Sequence, residues 1–134
     1  MEPMDSQKTL LKRTPLFETH VALGARLVPF AGWEMPLQYT SILEEARAVR
    51  TNCGLFDVSH MGRILFTGEG AASFLNCILS ADVLGLRVGR AKYNLICNQD
   101  GGIIDDTVVY RLGEERFILV ANASNTPSVL DWLA

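Results

Sequence analysis

The sequence lacks the features that define several classes of protein. No apolar run approaches the ~18 residues that a membrane-spanning helix needs. The sequence has 12 basic and 15 acidic residues, which gives a net charge of −3. The Lys and Arg residues do not form a contiguous block. A weakly acidic chain without a basic patch is a poor ligand for nucleic acid. We therefore predict that the protein binds neither nucleic acid nor membrane.

Cysteine and histidine are scarce. Cys53, Cys77 and Cys97 are odd in number and never stand in a C-x-x-C spacing, which argues against a disulfide framework and a zinc site and favours a reducing compartment. Their apolar or mixed surroundings predict inert, small core residues. His20 and His60 have no partner at metal-ligand spacing, so no metal site is predicted.

The composition that remains is that of a globular protein. A hydrophobic fraction of 49% and a charged fraction of 20% argue against disorder, and 134 residues allow one domain of ordinary size. Residues 1–13 contain two acidic residues and no apolar core, unlike a secretory signal or a transit peptide. We predict that they form a flexible leader on a cytoplasmic protein.

Local patterns predict the elements of the first half of the chain. Thr14 and Pro15 predict the start of a helix that ends near Gly24. Pro29, Gly32 and Pro36 predict an ordered but irregular loop over residues 25–40. An amphipathic helix is predicted over residues 41–53 and an extended stretch over 55–67, followed by a second helix over 71–79.

The second half predicts an antiparallel meander of three strands, over residues 92–98, 103–112 and 117–122. The Asp-Gly pair between the first two strands is a typical hairpin sequence. A last helix starts near Pro127 and is interrupted after about two turns, which predicts a truncated chain. The predicted fold class is α+β, with antiparallel sheets and flanking helices.

Two short motifs are better explained by structure than by chemistry. Asp57, Ser59 and His60 do not form a hydrolytic triad, because on a strand His60 faces away from the other two. We interpret His60 as a structural hydrogen-bonding residue beside a loop. The segment around Gly68 and Gly70 lacks the third glycine of a dinucleotide-binding loop and precedes an antiparallel meander, which favours a plain turn into a helix.

The pair Asp105-Asp106 is the strongest candidate for chemistry. Strand alternation puts Asp106 on one face with large apolar neighbours at 104, 108 and 110, and puts Asp105 beside Thr107 on the other. A carboxylate among apolar side chains is costly unless it is paired or its pKa is shifted. Asp106 is therefore a candidate acid–base or ligand-orienting group. The alternative is that the pair caps a turn near the edge of the sheet.

Long segments of the sequence resemble one family. They are TPLFETHVALGARLVPFAGWEMPLQY (14–39), GLFDVSHMGR (54–63), GRAKYNLICNQDGGIIDDTVVYRL (89–112) and VANASN (120–125). Over residues 14–134 the chain resembles the aminomethyltransferase, or T protein, of the glycine cleavage system. Members of that family are more than twice as long. The resemblance implies that residues 14–134 are the incomplete N-terminal part of a three-lobed folate-binding fold.

The resemblance also implies an activity. The family takes an aminomethyl group from the lipoyl arm of the H protein, releases ammonia and gives 5,10-methylenetetrahydrofolate. The implied cofactors and partners are tetrahydrofolate as substrate and the lipoylated H protein. The family residues that grip the folate tail lie beyond residue 134, so we expect the 134-residue chain alone to be inactive and to bind folate weakly or not at all.

The resemblance assigns roles to six residues. Asp106 matches the essential aspartate, which would orient or activate the folate amine. The folate-lining positions match Met61, Leu65, Tyr93, Val108 and Asn122. Each of these five also fits a purely structural role, as a core residue, a cross-strand contact or a turn residue.

Other functions stay open from the sequence. A non-enzymatic folate-binding module of the same fold, or the folate part of a sarcosine or dimethylglycine dehydrogenase, would share these motifs. A non-functional fragment would share them too. The combination of the TPLFETH, FAGWEMP and GGIIDD segments favours the transferase.

Overall fold

The structure, a computed structural model, describes residues 10–134, and the chain divides into two compact units, residues 1–60 and 61–134. Most of the predicted leader, residues 1–9, lies outside the described residues. At the end of that leader, Lys12 forms a parallel bridge with Trp33. Arg13 makes an ion pair of 3.1 Å with Glu34.

The first unit contains two helices and a hairpin. Helix α1 spans Phe17–Ala22, strands β1 and β2 span Arg26–Phe30 and Trp33–Gln38, and helix α2 spans Ile42–Thr51. The structure confirms α2 and its cap, since Ser41 Oγ accepts a hydrogen bond from the Glu44 backbone N–H. Helix α1 begins later than predicted, because residues 15 and 16 form a turn and Leu16, not Thr14, occupies the N-cap.

The prediction of an irregular loop over residues 25–40 was wrong. Strands β1 and β2 pair antiparallel through a two-residue turn at Ala31 and Gly32, whose φ angles are 49° and 79°. Positive φ at both central residues is typical of the type I′ turn that suits the twist of a hairpin. The two prolines misled the prediction, but in a two-stranded sheet both strands are edges, where a missing backbone N–H is tolerated.

The second unit is a four-stranded antiparallel sheet with helices α3 (Ala71–Ile78) and α4 (Thr126–Leu133). The strands are β3 (Gly62–Thr67), β4 (Ala91–Cys97), β5 (Ile103–Gly113) and β6 (Arg116–Ala121), in the order β3-β6-β5-β4. The meander is thus confirmed and gains β3 at one edge. The predicted extended stretch over 55–67 is shorter in the structure, since only its last six residues form a strand.

One face of this sheet carries the core. Phe117, Leu119 and Val109 are fully buried on it, together with Leu75 of α3 and Val129 of α4. Large apolar residues on the other face are exposed, Leu65 at 54% and Tyr93 at 63%. Half of the strand positions therefore face an open surface.

The architecture confirms the α+β class, with antiparallel sheets and flanking helices. The prediction that Gly68 lies in a plain turn before a helix is confirmed, since its φ is 107° and its carbonyl accepts the Ala71 backbone N–H at the start of α3.

The core role predicted for the cysteines was wrong: Cys53 and Cys77 are exposed, and Cys97 is partly buried. Among the described helices, none has the length and apolar character to cross a membrane.

Candidate functional site

Strand register gathers the predicted site residues on the open face of the second unit. Val108 lies opposite Tyr93 of β4 on one side and Val120 of β6 on the other. Directly opposed residues of antiparallel strands point to the same face. Leu65 of β3 lies opposite Ile118 of β6, which in turn lies opposite Tyr110 of β5. Tyr110 shares a face with Val108, so Leu65 lies on that face too. Met61 immediately precedes β3, and Asn122 immediately follows β6.

Asp106 lies within this open face and is held by two neighbours. The Tyr93 hydroxyl donates a hydrogen bond of 3.2 Å to Asp106 Oδ2, and Asn122 Nδ2 donates one of 2.9 Å to Oδ1. Three of the six predicted residues are thus in direct contact. The carboxylate is exposed, so these two hydrogen bonds, and not burial, restrict its orientation.

The prediction that Asp106 lies among buried side chains was wrong, because Asp105 is the buried aspartate. Asp105 is only 2% exposed, because its face of β5, shared with Thr107 and Val109, is the core face. Val108 and Tyr110 face the open side and are partly or largely exposed, whereas Ile104, at a register shift of the β4–β5 pair, packs against the core. Alternation assigned residues 105–110 to the two faces correctly, but large apolar residues were a poor guide to which face is covered.

Three N–H groups stabilise the buried carboxylate of Asp105. The Asn122 backbone N–H donates to Oδ2 at 2.9 Å, and the side-chain amides of Asn122 and Asn125 donate to Oδ1 at 2.9 and 2.7 Å. A buried carboxylate that accepts several N–H hydrogen bonds is compensated for its lost hydration. The turn-cap alternative for the Asp pair is wrong, because Asn98 Oδ1 accepts the Asp100 and Gly102 backbone N–H groups of that turn.

The ionisation of Tyr93 reports on this arrangement. Desolvation by the surrounding protein and the negative charge of Asp106 raise the pKa of Tyr93 above its ordinary value of 10.0. We expect Asp106→Asn to lower that pKa, because the phenolate no longer forms beside a carboxylate. Phenolate absorbance during a pH titration of the whole protein measures it, with Tyr93→Phe identifying the contribution of Tyr93 by difference. An unchanged Tyr93 titration in Asp106→Asn would contradict the contact.

A second polar cluster, in the first unit, was missed from the sequence. His20 Nε2 lies 2.8 Å from Asp57 Oδ2, and its Nδ1 lies 2.7 Å from the Tyr39 hydroxyl. The side chains of His20 and Asp57 are 5% and 1% exposed. The members are 37 and 19 residues apart along the chain, so no local pattern could have indicated them.

The pKa of Asp57 reflects this cluster. Burial acts to raise it, but hydrogen bonds from His20 and Ser59 outweigh burial and hold the pKa well below its ordinary value of 3.8. The buried Thr14 hydroxyl also lowers it, although it makes no hydrogen bond of standard geometry. His60 does not act as predicted: its Nδ1 is buried without a hydrogen-bond partner, and its ring packs edge-on against Phe30 at 5.7 Å.

Within residues 10–134 no cluster of three or more His, Cys, Asp or Glu side chains is arranged to hold a metal ion. A shallow cleft in the second unit is lined by Asp82, Arg87, Arg90 and Lys92, among others. None of the predicted site residues lines it.

The open face offers an oriented carboxylate on a largely apolar surface. Such a surface can bind a flat aromatic ligand, and its carboxylate can accept a proton or a hydrogen bond from it.

Comparison with known proteins shows the family of the chain. The GCVT N-terminal domain family matches residues 16–134. The chain is 54% identical over 123 residues to an aminomethyltransferase from Halothermothrix orenii, and 51% identical over 125 residues to one from Geobacillus kaustophilus. These matches cover 92% and 93% of the chain but 34% of each relative. The chain therefore spans about a third of the length of the curated relatives that it matches.

A solved structure is also similar. The crystal structure of the glycine cleavage system aminomethyltransferase T from Bartonella henselae superposes with a TM-score of 0.89 at 42% identity. The match covers 92% of this chain and 35% of that one. The chain therefore belongs to the GCVT N-terminal domain family and corresponds to the N-terminal portion of the glycine cleavage system aminomethyltransferases.

Proposed function

We propose that the whole protein transfers a one-carbon unit from an aminomethyl-lipoyl group to tetrahydrofolate. In this reaction the lipoylated H protein presents the aminomethyl group. The carbon–nitrogen and carbon–sulfur bonds of that group break, ammonia and the free lipoyl thiol leave, and 5,10-methylenetetrahydrofolate forms. The relatives are named for aminomethyl transfer and for the glycine cleavage system. We also propose that the one-carbon acceptor is tetrahydrofolate, that the H protein is the partner, and that the protein is cytoplasmic.

The observation that carries the proposal is the common position of five of the six residues. Leu65, Val108 and Tyr93 share one sheet face, and Asp106 lies on it with its carboxylate bound by Tyr93 and Asn122. Independent structural roles for these residues would not require them to share an exposed face. Apolar side chains exposed around one oriented acid fit a flat, partly polar ligand such as a reduced pterin.

In the proposed mechanism Asp106 acts on the folate amine that attacks the methylene carbon. An ionised carboxylate only accepts hydrogen bonds, so it orients an N–H group and accepts its proton as the new C–N bond forms. Because Tyr93 and Asn122 already hold Asp106, little of its freedom is lost when substrate binds. Such positioning can supply a large part of the rate enhancement.

Reconstitution of the reaction tests the proposal. The whole protein, lipoylated H protein carrying the aminomethyl group, and tetrahydrofolate are combined, and ammonia and 5,10-methylenetetrahydrofolate are measured. We expect both products in equal amounts. Binding of tetrahydrofolate without ammonia release would favour a non-enzymatic folate-binding module. Dependence on sarcosine or dimethylglycine in place of the H protein would favour the dehydrogenase alternative.

A further inference from the structure

The buried carboxylate of Asp105 has no part in the mechanism above, yet it contacts the residue that holds Asp106. Its two oxygens accept three N–H hydrogen bonds, and two of the three donors belong to Asn122. The third comes from Asn125, which stands at the N-cap of α4 but makes no side-chain cap there. Asp105 therefore connects the core face of β5 to the turn between β6 and α4.

The Asn122 amide stands between two carboxylates. Its Nδ2 lies 2.9 Å from Asp105 Oδ1 and 2.9 Å from Asp106 Oδ1, and also 3.0 Å from the Asp106 carbonyl oxygen. Ionised carboxylates and carbonyls only accept hydrogen bonds, so the donor end of the amide must face them. Among the described residues none donates a hydrogen bond to Asn122 Oδ1. This oxygen is therefore available to accept a hydrogen bond from a ligand.

We propose that Asp105 is a positioning residue, which fixes the Asn122 amide with its donor end on Asp106 and its acceptor end available to an N–H group of the substrate. The proposal rests on the function proposed above and deepens it. It also predicts the class of ligand group at this point of the site, because an outward carbonyl oxygen selects a donor over an acceptor. Asp105 acts through Asn122 and does not itself touch substrate.

Replacement of Asp105 by asparagine removes this constraint. An amide at position 105 cannot accept hydrogen bonds at both ends, so one of its ends faces a donor of Asn122. In the whole protein we expect Asp105→Asn to lower kcat for methylene transfer by about 10- to 100-fold, with a smaller change in KM for tetrahydrofolate. Thr107→Val is the matched control, since it also removes one buried hydrogen bond, to Asn94, on the same face of β5.

A double-mutant cycle separates positioning from general destabilisation. If Asp105 acts through Asn122, adding Asp105→Asn to Asn122→Ala changes kcat by less than about twofold. Additive losses in the double variant overturn the proposal, as does a loss in Asp105→Asn no larger than in Thr107→Val. If Asp105→Asn does not fold, Asn125→Ala replaces it, with an expected fall of several-fold that vanishes in the Asn122→Ala background.

A second readout needs no catalytic activity. The two Nδ2 protons of Asn122 are held by oxygens of Asp105 and Asp106, so we expect slow exchange with solvent in the NMR spectrum of the whole protein and fast exchange in Asp105→Asn. Equal exchange in both proteins overturns the positioning role even if the wild type proves inactive. An inactive wild type with the expected exchange difference contradicts the proposed function alone.

Discussion

Asp106→Asn is expected to lower kcat for methylene transfer in the whole protein by about 100- to 10,000-fold, the range for loss of a general acid–base group. The amide keeps the size of the carboxylate. Its oxygen can accept from Asn122 Nδ2 while its NH2 group donates to the Tyr93 hydroxyl oxygen, so the sheet face keeps its shape. It cannot take a proton from the folate amine. Turnover with H protein and tetrahydrofolate measures kcat, and calorimetry measures folate binding, which we expect to change little.

Asp100→Asn is the matched control for this variant. Asp100 is an exposed aspartate in the β4–β5 turn. Its backbone N–H, not its carboxylate, makes the hydrogen bond to Asn98 Oδ1. The same change of charge at position 100 is expected to leave turnover intact. Wild-type turnover in Asp106→Asn would remove the catalytic role. Loss of folate binding together with turnover would reduce Asp106 to a binding residue.

His20→Ala is expected to destabilise the protein by about 3–5 kcal/mol, the range for leaving a buried charge without its partner. The substitution leaves the Asp57 carboxylate, 1% exposed, without its 2.8 Å contact to the imidazole. It also removes the ring beside the Tyr39 hydroxyl. Urea unfolding of the whole protein measures the loss. Tyr39→Phe, which removes only one hydroxyl of the cluster, should cost about 1 kcal/mol.

The pH dependence of this cluster follows from the lowered pKa of Asp57. A carboxyl whose pKa is lower in the folded state stabilises the protein above its unfolded-state pKa, here about 3.8, and that contribution is lost as the pH falls further. The stability difference between wild type and Asp57→Asn should therefore be large at neutral pH and shrink in acid. A difference that grows below that pH would mean that Asp57 is not held as an anion.

Several features were determined by local sequence. The Ser41–Glu44 spacing specified the start of α2, and the Asp-Gly turn between alternating apolar runs specified the β4–β5 hairpin. Capping and turn formation depend on residues within about four positions of each other, so the sequence contains all the information that they need. The resemblance of whole segments then indicated the family and Asp106.

Tertiary structure decided which aspartate is buried. Alternation separates Asp105 from Asp106 onto two faces, but only the packing of α3 and α4 determines which face is covered. The contacts of Asn122 with both aspartates, and of His20 with Asp57, join residues that are 16 to 37 positions apart. Hydrogen bonds between distant residues depend on strand register and helix packing, which no local pattern encodes. The sequence alone therefore determined the elements and the family, and the fold determined how the carboxylates are held.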